Sequence, residues 1–493
     1  MKRNKHSLSH YRLLTCDMGR LIPVGCFEVL PGDTVQQATS ALLRVSPMIV
    51  PVMHPISVRI HHWFVPHRLV WDGWEDFITG GPDGLGGDAG DFPTVNTGTQ
   101  GFSEGALGDY LGIPALTPLV EVSALPLRSF NLIFNEFYRD QDLRAEIDLD
   151  TGLDALPPAI CWEKDYFTSA RPWPQKGPDV TMPLGEYAPV LAQSPAVAPT
   201  FIAGSSAAEA LRAGNPNVTH IGGQAGDALK WGDPNLFADL SNASSVNVND
   251  VRKAFAIQRY QEARARYGSR YTEYLRYLGV RSSDARLQRP EYLGGGKQTI
   301  SFSEVLQTGP GGTDGSPTPG GVGQFAGHGI SAMRSRRYRR FFEEHGLVLS
   351  LLSIRPRTMY TQHLPKLWSR RAKEDYWQKE LEQIGQQEIM RREVFAQEDS
   401  AGTGGDTVFG YQDRYAEYKH IQSTVHGEMA NTQNYWHLAR SFASPPALNA
   451  GFVESNPTKR IFQEQTYHSI WAMVSNNIQA RRMVSRSASS RIL

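Results

Sequence analysis

The chain has 493 residues, 40% hydrophobic and 20% charged. That excludes a disordered polymer and leaves room for one large domain with insertions, or for roughly two to three ordinary domains. Lys+Arg and Asp+Glu both number 50, which excludes a dedicated nucleic-acid binder, normally strongly basic, but not a local basic patch. The three cysteines, Cys16, Cys26 and Cys161, are too few for a disulfide scaffold and fit a reducing cytoplasm. The basic start MKRNKHSLSH is followed by no apolar h-region, and no run of about 18 apolar residues occurs. Neither a secretory signal nor a membrane span is expected.

Residues 1–12 carry Lys2, Arg3, Lys5 and Arg12 and read as a flexible basic arm. Leu21 to Leu30, Thr34 to Val45 and Ser57 to Val65 are strand-like, with a turn at Pro31-Gly32-Asp33 between the first two. Asp72 and Glu75 have the spacing of a helix cap, and Trp74, Phe77 and Ile78 would share that helix's apolar face. A second helix is predicted from about Ser123, with Pro126 in its first turn. There Leu127, Phe130, Phe134 and Phe137 form a stripe for a core.

Residues 165–178 read DYFTSARPWPQKGP. So many prolines cannot continue a helix or fill a central strand, so an ordered extended loop is expected, held by its aromatics. Residues 186–245 are rich in Ala, Gly, Ser, Asn and Pro and read as an inserted surface excursion. Helical signals return after Asn249 and Asp250, with Val251, Ala254, Phe255 and Ile257 on the apolar side, and break near Gly268. Residues 308–329 form a Gly/Pro/Ser/Thr loop, and His345 to Ile354 is the best buried-strand candidate of the second half. Glu374 to Gln387 is predicted helical, Arg414 to Val425 a strand, and residues 481–493 a basic tail. Strands separated by long loops and helices suit a mainly β fold with helical insertions, a sandwich or jelly roll.

The motifs of catalysis are missing. Gly294-Gly295-Gly296-Lys297 lacks the leading glycine of a P-loop, and Gln298 stands where Ser or Thr should bind magnesium. His54, His61, His62 and His67 cluster in sequence, but His61 and His62 would point to opposite faces of a strand, and no partner ligand stands nearby. No catalytic residue, metal site or cofactor is assigned. A basic, aromatic run offers more: Arg334, Arg336, Arg337, Tyr338, Arg339 and Arg340, with Lys2, Arg3 and Lys5 of the arm, are candidate contacts to single-stranded DNA. Guanidinium groups pair with phosphates and aromatics stack on unpaired bases. A similar mixture at Arg259, Arg264 and Arg266 reads as structural, with Glu262 able to pair with Arg266.

Seven stretches, in order along the chain, resemble the major capsid protein of the Microviridae, in its gokushovirus branch. They are LLTCDMGRLIPVGCFEVLPGDT at 13–34, the run from PMIVPVMHPISV to WEDFITGG at 47–81, DYFTSARPWPQKGP, the run from NDVRKAFAIQRY to RPEYLGGG at 249–296, EEHGLVLSLLSIRP at 343–356, DTVFGYQDRYAEYK at 406–419 and WHLARSF at 436–442. The resemblance implies a single eight-stranded jelly-roll domain over 1–493. It implies a structural role rather than an enzyme: self-assembly as pentamers into a T=1 icosahedral shell in the host cytoplasm, around circular single-stranded DNA. The insertion at 186–245 then becomes a surface protrusion that meets the host cell, and minor phage structural proteins become further partners. Trp173 and its neighbours Tyr166, Phe167, Pro172 and Pro174 are the expected subunit interface, because a proline-stiffened tryptophan loses little entropy on docking. The competing readings are a receptor-binding or scaffolding protein of the same phage and a β-sandwich polysaccharide hydrolase, which would need two converging carboxylates.

Overall fold

The computed structural model describes residues 3–79, 90–178, 180, 190–192, 200–203, 209–210, 212–213, 218–219, 229–231, 236–238, 248–267, 288–306, 325–396 and 407–485. The chain divides into two units, Met1–Pro174 with Ala265–Leu493, and Gln175–Arg264.

Eleven strands build the two sheets of the first unit. In chain order they are β1 Asn4–Ser7, β2 His10–Cys16, β3 Leu21–Val29, β4 Thr34–Val45, β5 Ile56–Pro66, β6 Glu291–Thr299, β7 Ser301–Leu306, β8 Phe325–Arg334, β9 Tyr338–Phe341, β10 Gly346–Pro356 and β11 Ile470–Arg482. The larger sheet has the order β1-β11-β4-β8-β7, with β2 also on β11 and β9 also on β4; the smaller has the order β6-β5-β10-β3. Every pairing between these strands is antiparallel.

The period-two pattern explains why the sheets face one another. In β11, Ile470, Ala472, Val474, Ile478 and Ala480 are buried, while Trp471, Met473, Asn477 and Arg481 are exposed. Inward residues of β4, β8 and β11 share one apolar core with Val24 of β3, Ile56, Val58 and Ile60 of β5, and Leu352 and Ile354 of β10. β10 is apolar on both faces. Its outward Leu347, Leu349 and Leu351 pack with Trp63 and Val65 against Leu127, Phe130, Ile133 and Phe134 of the helix Leu125–Phe137. A strand covered on both sides reads as a continuous apolar run.

A polar seam crosses the space between the sheets. His62 Nδ1 lies 2.8 Å from Ser350 Oγ and its Nε2 3.0 Å from Ser335 Oγ. Gln37 Nε2 donates to Ser350 Oγ (2.9 Å), Tyr338 OH to Gln37 Oε1 (2.7 Å), and Thr39 Oγ1 to Asn476 Oδ1 (2.7 Å). A satisfied buried network of this kind favours one register of β4, β5, β9, β10 and β11 over its neighbours.

Five expectations are corrected here. The N-terminal arm is not free, because β1 and β2 pair with β11 from Asn4↔Arg482 to Cys16↔Ile470. Arg481 and Arg482 close that same strand rather than opening a tail; residues 486–493 lie outside the described residues. Glu374 to Gln387 is not a helix. It holds a single 3-10 turn, Lys373–Asp375, and then the start of the strand Gln386–Met390. That strand pairs with Val408–Asp413, so the expected strand at Arg414 to Val425 falls earlier in the chain. The short helix Trp74–Thr79 buries no residue, and Phe77 and Ile78 are exposed.

In the second unit, the expected excursion at 186–245 lies largely outside the described residues. Short antiparallel pairs are described within it, among them Thr200–Ala203 with Leu229–Trp231 and Val190–Ala192 with Leu236–Ala238. The helix Val248–Tyr267 follows, its residues from Ala265 on belonging to the first unit, with Phe255 and Ile257 exposed rather than packed.

Candidate assembly and nucleic-acid surfaces

The run at 165–178 has two halves. Asp165 organises the first. Its Oδ1 accepts from Phe167 N (3.0 Å), Thr168 N (2.8 Å) and Thr168 Oγ1 (2.9 Å), and its Oδ2 accepts from Tyr360 OH (2.8 Å). Gln412 Nε2 donates to Tyr166 O (3.1 Å) and Ser169 Oγ (2.8 Å), and Arg171 and Tyr411 exchange backbone bonds of 2.9 and 2.7 Å. Phe167, 0% exposed, meets Tyr360 edge-on at 5.1 Å. Tyr166 is buried too, and its hydroxyl donates to Glu393 Oε2 at 3.3 Å. Burial holds Glu393 above the usual carboxylate range. The expectation that Tyr166 and Phe167 face a neighbouring subunit is therefore corrected. Their rings fill a core cluster of their own chain with Ile389, Val394, Phe409 and Phe452. In the second half Pro172 and Pro174 are exposed and Trp173 is half-buried.

A second aromatic surface escaped sequence reasoning. Trp368 is 73% exposed, Trp377 50% and Ile421 99%, with Leu367, Tyr376, Ile384 and Tyr418 exposed beside them in sequence. The backbone that carries them is irregular but pinned. The Arg370 guanidinium lies 4.3 Å from the Tyr418 ring centre and 5.5 Å from that of Tyr376, and reaches Glu417 at 3.3 Å. Tyr415 OH donates to Glu374 O (3.1 Å), and Trp377 Nε1 to Glu382 Oε2 (3.3 Å). The available signal was the density of Trp and Tyr among charges without any helical period. Large exposed apolar side chains concentrated in one stretch of chain mark a candidate contact surface.

The basic candidates divide between buried and exposed positions. Tyr338, 8% exposed and bonded to Gln37, is part of the core seam and is not offered to a base. Arg340 Nε reaches Glu291 Oε2 at 3.2 Å. Arg334, Arg336, Arg337 and Arg339 are exposed. Across the larger sheet Phe341 pairs with Thr34, Thr34 with Arg481, and Arg481 with Lys5. Partners in an antiparallel ladder share a face, and here Phe341, Arg481 and Lys5 are all exposed. Arg3 lies over the Phe341 ring at 5.4 Å and donates to Gly32 O (2.9 Å). The fold thus brings Arg3 and Lys5 to the same sheet end as Arg339, and adds Arg481, which had been assigned to a tail. Lys2 lies outside the described residues. In the helix Val248–Tyr267, Glu262 accepts from Gln258 (2.9 Å) and Arg266 instead reaches Asp413 (2.8 Å).

The four histidines are held as structural groups. His54 Nε2 bonds Arg357 O (2.8 Å), His61 Nδ1 bonds Tyr138 OH (2.7 Å), and the His67 ring centre is 4.4 Å from that of Trp74. Burial lowers each of His54, His61, His62 and His67 to about 4. Gly294, Gly295 and Gly296 lie within β6, where no phosphate loop can form. Among the described residues no group of three or more His, Cys, Asp or Glu is placed to hold a metal ion, and no helix is long and apolar enough to cross a membrane.

Comparison with known proteins adds a consistent result. A family model described as "Capsid protein (F protein)" matches residues 1–490. Capsid protein VP1 of Bdellovibrio phage phiMH2K is 35% identical over 485 residues, covering 92% of this chain and 88% of that protein. Capsid protein VP1 of Chlamydia phage 1 is 32% identical over 539 residues, covering 92% and 90%. Capsid protein VP1 of Spiroplasma virus 4 is 29% identical over 494 residues, covering 92% and 88%.

Proposed function

We propose, from the premise that the chain belongs to the Microviridae capsid protein (F protein) family and is a non-enzymatic component of the virion, that its copies assemble as pentamers into a T=1 icosahedral shell around a circular single-stranded DNA genome. The subunit fold is read as a jelly roll. Counting β2, β3, β4, β5, β6, β8, β10 and β11 as strands one to eight, the sheets have the orders 1-8-3-6 and 2-7-4-5. First pairs with last, second with seventh, third with sixth and fourth with fifth, as in a long antiparallel ribbon rolled into two Greek keys.

The exposed surface of Trp368, Trp377 and Ile421 carries the assembly reading. Rings held in place yet open to water are anchors for a neighbouring copy. A heterologous contact whose rotation closes makes a ring such as a pentamer. Pro172, Trp173 and Pro174 supply a second, stiffer contact. The test is expression followed by sedimentation and electron microscopy. The wild-type chain should give particles of uniform size, and Trp368→Ala with Trp377→Ala should leave folded subunits with assembly weakened at least tenfold. Wild-type chain that stays monomeric would overturn the shell reading; normal particles from the double variant would overturn this placement of the interface.

The exposed basic end of the larger sheet, with Arg3, Lys5, Arg339 and Arg481 and the neighbouring Arg336 and Arg337, is proposed to touch the genome's phosphates. The exposed Phe341 takes the stacking role first given to Tyr338. Such binding weakens steeply with salt and is largely independent of sequence. The insertion at 186–245 is proposed to meet the host surface, and minor phage structural proteins to complete the particle.

A further inference from the structure

The outward face of the smaller sheet is divided. Toward one end, Trp63 and Val65 of β5 and Leu347, Leu349 and Leu351 of β10 pack beneath the helix Leu125–Phe137. Toward the other, Arg59 and His61 of β5 and Ser353 and Arg355 of β10 line an open cleft of about 560 Å3. Residues 137–142 and 160–164 supply its other sides.

The charges in this cleft do not balance. A single carboxylate oxygen, Glu163 Oε1, takes Arg59, Arg355 at 3.5 Å and Lys297 at 3.7 Å. The remaining carboxylates are committed elsewhere. Asp140 takes Lys164 and Arg171, Asp142 takes Arg171, and Arg139 reaches Glu146. Three cations against one carboxylate leave a surplus of two positive charges around Glu163. The Nε–H groups of Arg59 and Arg355 are also buried, with no hydrogen-bond acceptor among the described residues. Arg355 already donates Nη1 to Cys161 O at 2.5 Å.

Like charges gathered around one carboxylate repel, and a buried donor without an acceptor is unfavourable. One doubly charged anion relieves both problems. Guanidinium forks match the spacing of phosphate oxygens. Burial, and then the Arg59 charge, lower the Arg355 pKa, and the Arg59 and Arg355 charges add to burial in lowering His61. Phe137, Tyr138 and Trp162 also line the cleft. Phe137 stacks on Trp63 at 4.1 Å, and His61 is bonded to Tyr138.

We infer that this cleft binds a phosphate group, with Arg59 and Arg355 of its lining as cations and Lys297, beside Glu163, as a third. The inference is independent of shell assembly. The cleft lies on the smaller sheet, whereas the basic end proposed to touch the genome lies on the larger one.

Calorimetric titration of the purified chain tests it with three probes: inorganic phosphate, a deoxynucleoside monophosphate and a short single-stranded oligonucleotide. Each is run against sodium chloride of equal ionic strength. Saturable binding beyond the chloride control is expected. A monophosphate that binds as tightly as the oligonucleotide assigns the cleft to a free phosphate compound. Tighter oligonucleotide binding, displaced by phosphate, assigns it to a polynucleotide backbone. Glu163→Gln removes the competing carboxylate and should tighten binding several-fold. Lys297→Gln, at an exposed position, should weaken it several-fold. A purely structural ion-pair cluster predicts instead that Glu163→Gln lowers stability and leaves phosphate binding unchanged. Absence of saturable binding of all three probes to the wild-type chain overturns the inference whether or not the variants fold.

Discussion

In residues 165–174 the rings of Tyr166 and Phe167 are buried in a loop whose Asp165 accepts four hydrogen bonds, whereas in residues 366–377 Trp368 and Trp377 stand open to water. The two segments look alike as sequence: aromatics among charges, with proline within or just before. Their fates differ because of what the rest of the chain offers each. Asp165 finds Tyr360 OH, and the loop finds Gln412 and the backbone of Tyr411. These partners close over the first pair of rings. Trp377 donates its indole N–H to Glu382 and its backbone N–H to Tyr418 OH, and Arg370 stacks on Tyr418, yet both tryptophans stay exposed. Aromatic density therefore marks an ordered segment, and the polar partners decide whether it is core or contact surface.

The largest effect should separate the two segments outright. Phe167→Ala removes a ring that is 0% exposed. It should cost about 3–5 kcal/mol in urea unfolding of the unassembled subunit, from lost burial and the cavity left behind. Trp368→Ala should change that stability by no more than about 0.5 kcal/mol and act on assembly instead. If Trp368→Ala destabilises the isolated subunit as Phe167→Ala does, the contrast between core and contact surface fails.

A somewhat smaller effect should follow acid. His62 is lowered by burial from 6.5 to about 4, and His61 beside it lowers it further. The unfolded chain then binds the proton more readily, so the sign is fixed. The contribution of neutral His62 is fully present above pH 6.5 and is lost as pH falls toward 4. For a group so fully buried the loss is on the order of 3 kcal/mol. Chemical unfolding measured at intervals between pH 7 and 4 should show a slope to which His54, His61, His62 and His67 all contribute, and His62→Gln should reduce it by the His62 share. Because His62 sits in the seam between the sheets, acid should loosen the packed core without acting directly on the open tryptophans. An unchanged slope in His62→Gln would move the acid sensitivity to His54, His61 or His67.

What was legible in the sequence follows the same division. Thr34–Val45 was read at its observed bounds, and Gly346–Pro356 within two residues, because long strands buried on one or both faces carry their own pattern. The loop at 165–178 was legible as ordered because proline excludes the alternatives. The strand Asn4–Ser7 was not, because its residues are polar on both faces and its partner, β11, begins at Ile470. The run KEDYWQKELEQIGQQ has strong helix propensity, and the pairing of Gln386–Met390 with Val408–Asp413 overrides it. The burial of Tyr338 depended on Gln37, a partner no local pattern could reveal. The surplus of cations around Glu163 was equally invisible, since Arg59, Lys297 and Arg355 come from three separate strands.

The smallest predicted effect asks whether the exposed aromatics are ordered before they meet a partner. Arg370 joins Tyr376, Tyr418 and Glu417. Its planar group can stack and pair at once, whereas lysine keeps the charge but loses the fork and the flat face. Arg370→Lys should therefore cost about 0.5–1 kcal/mol in unfolding of the isolated subunit. In assembly it should raise the concentration at which particles form, because Tyr376 and Tyr418 must then be ordered on docking at an added entropic cost. Light scattering across a dilution series measures that threshold. If the threshold stays put while stability falls by the expected amount, Arg370 stiffens the subunit alone. The surface around Trp368 and Trp377 would then be held by its backbone turns and by the bonds of Tyr415 and Glu382.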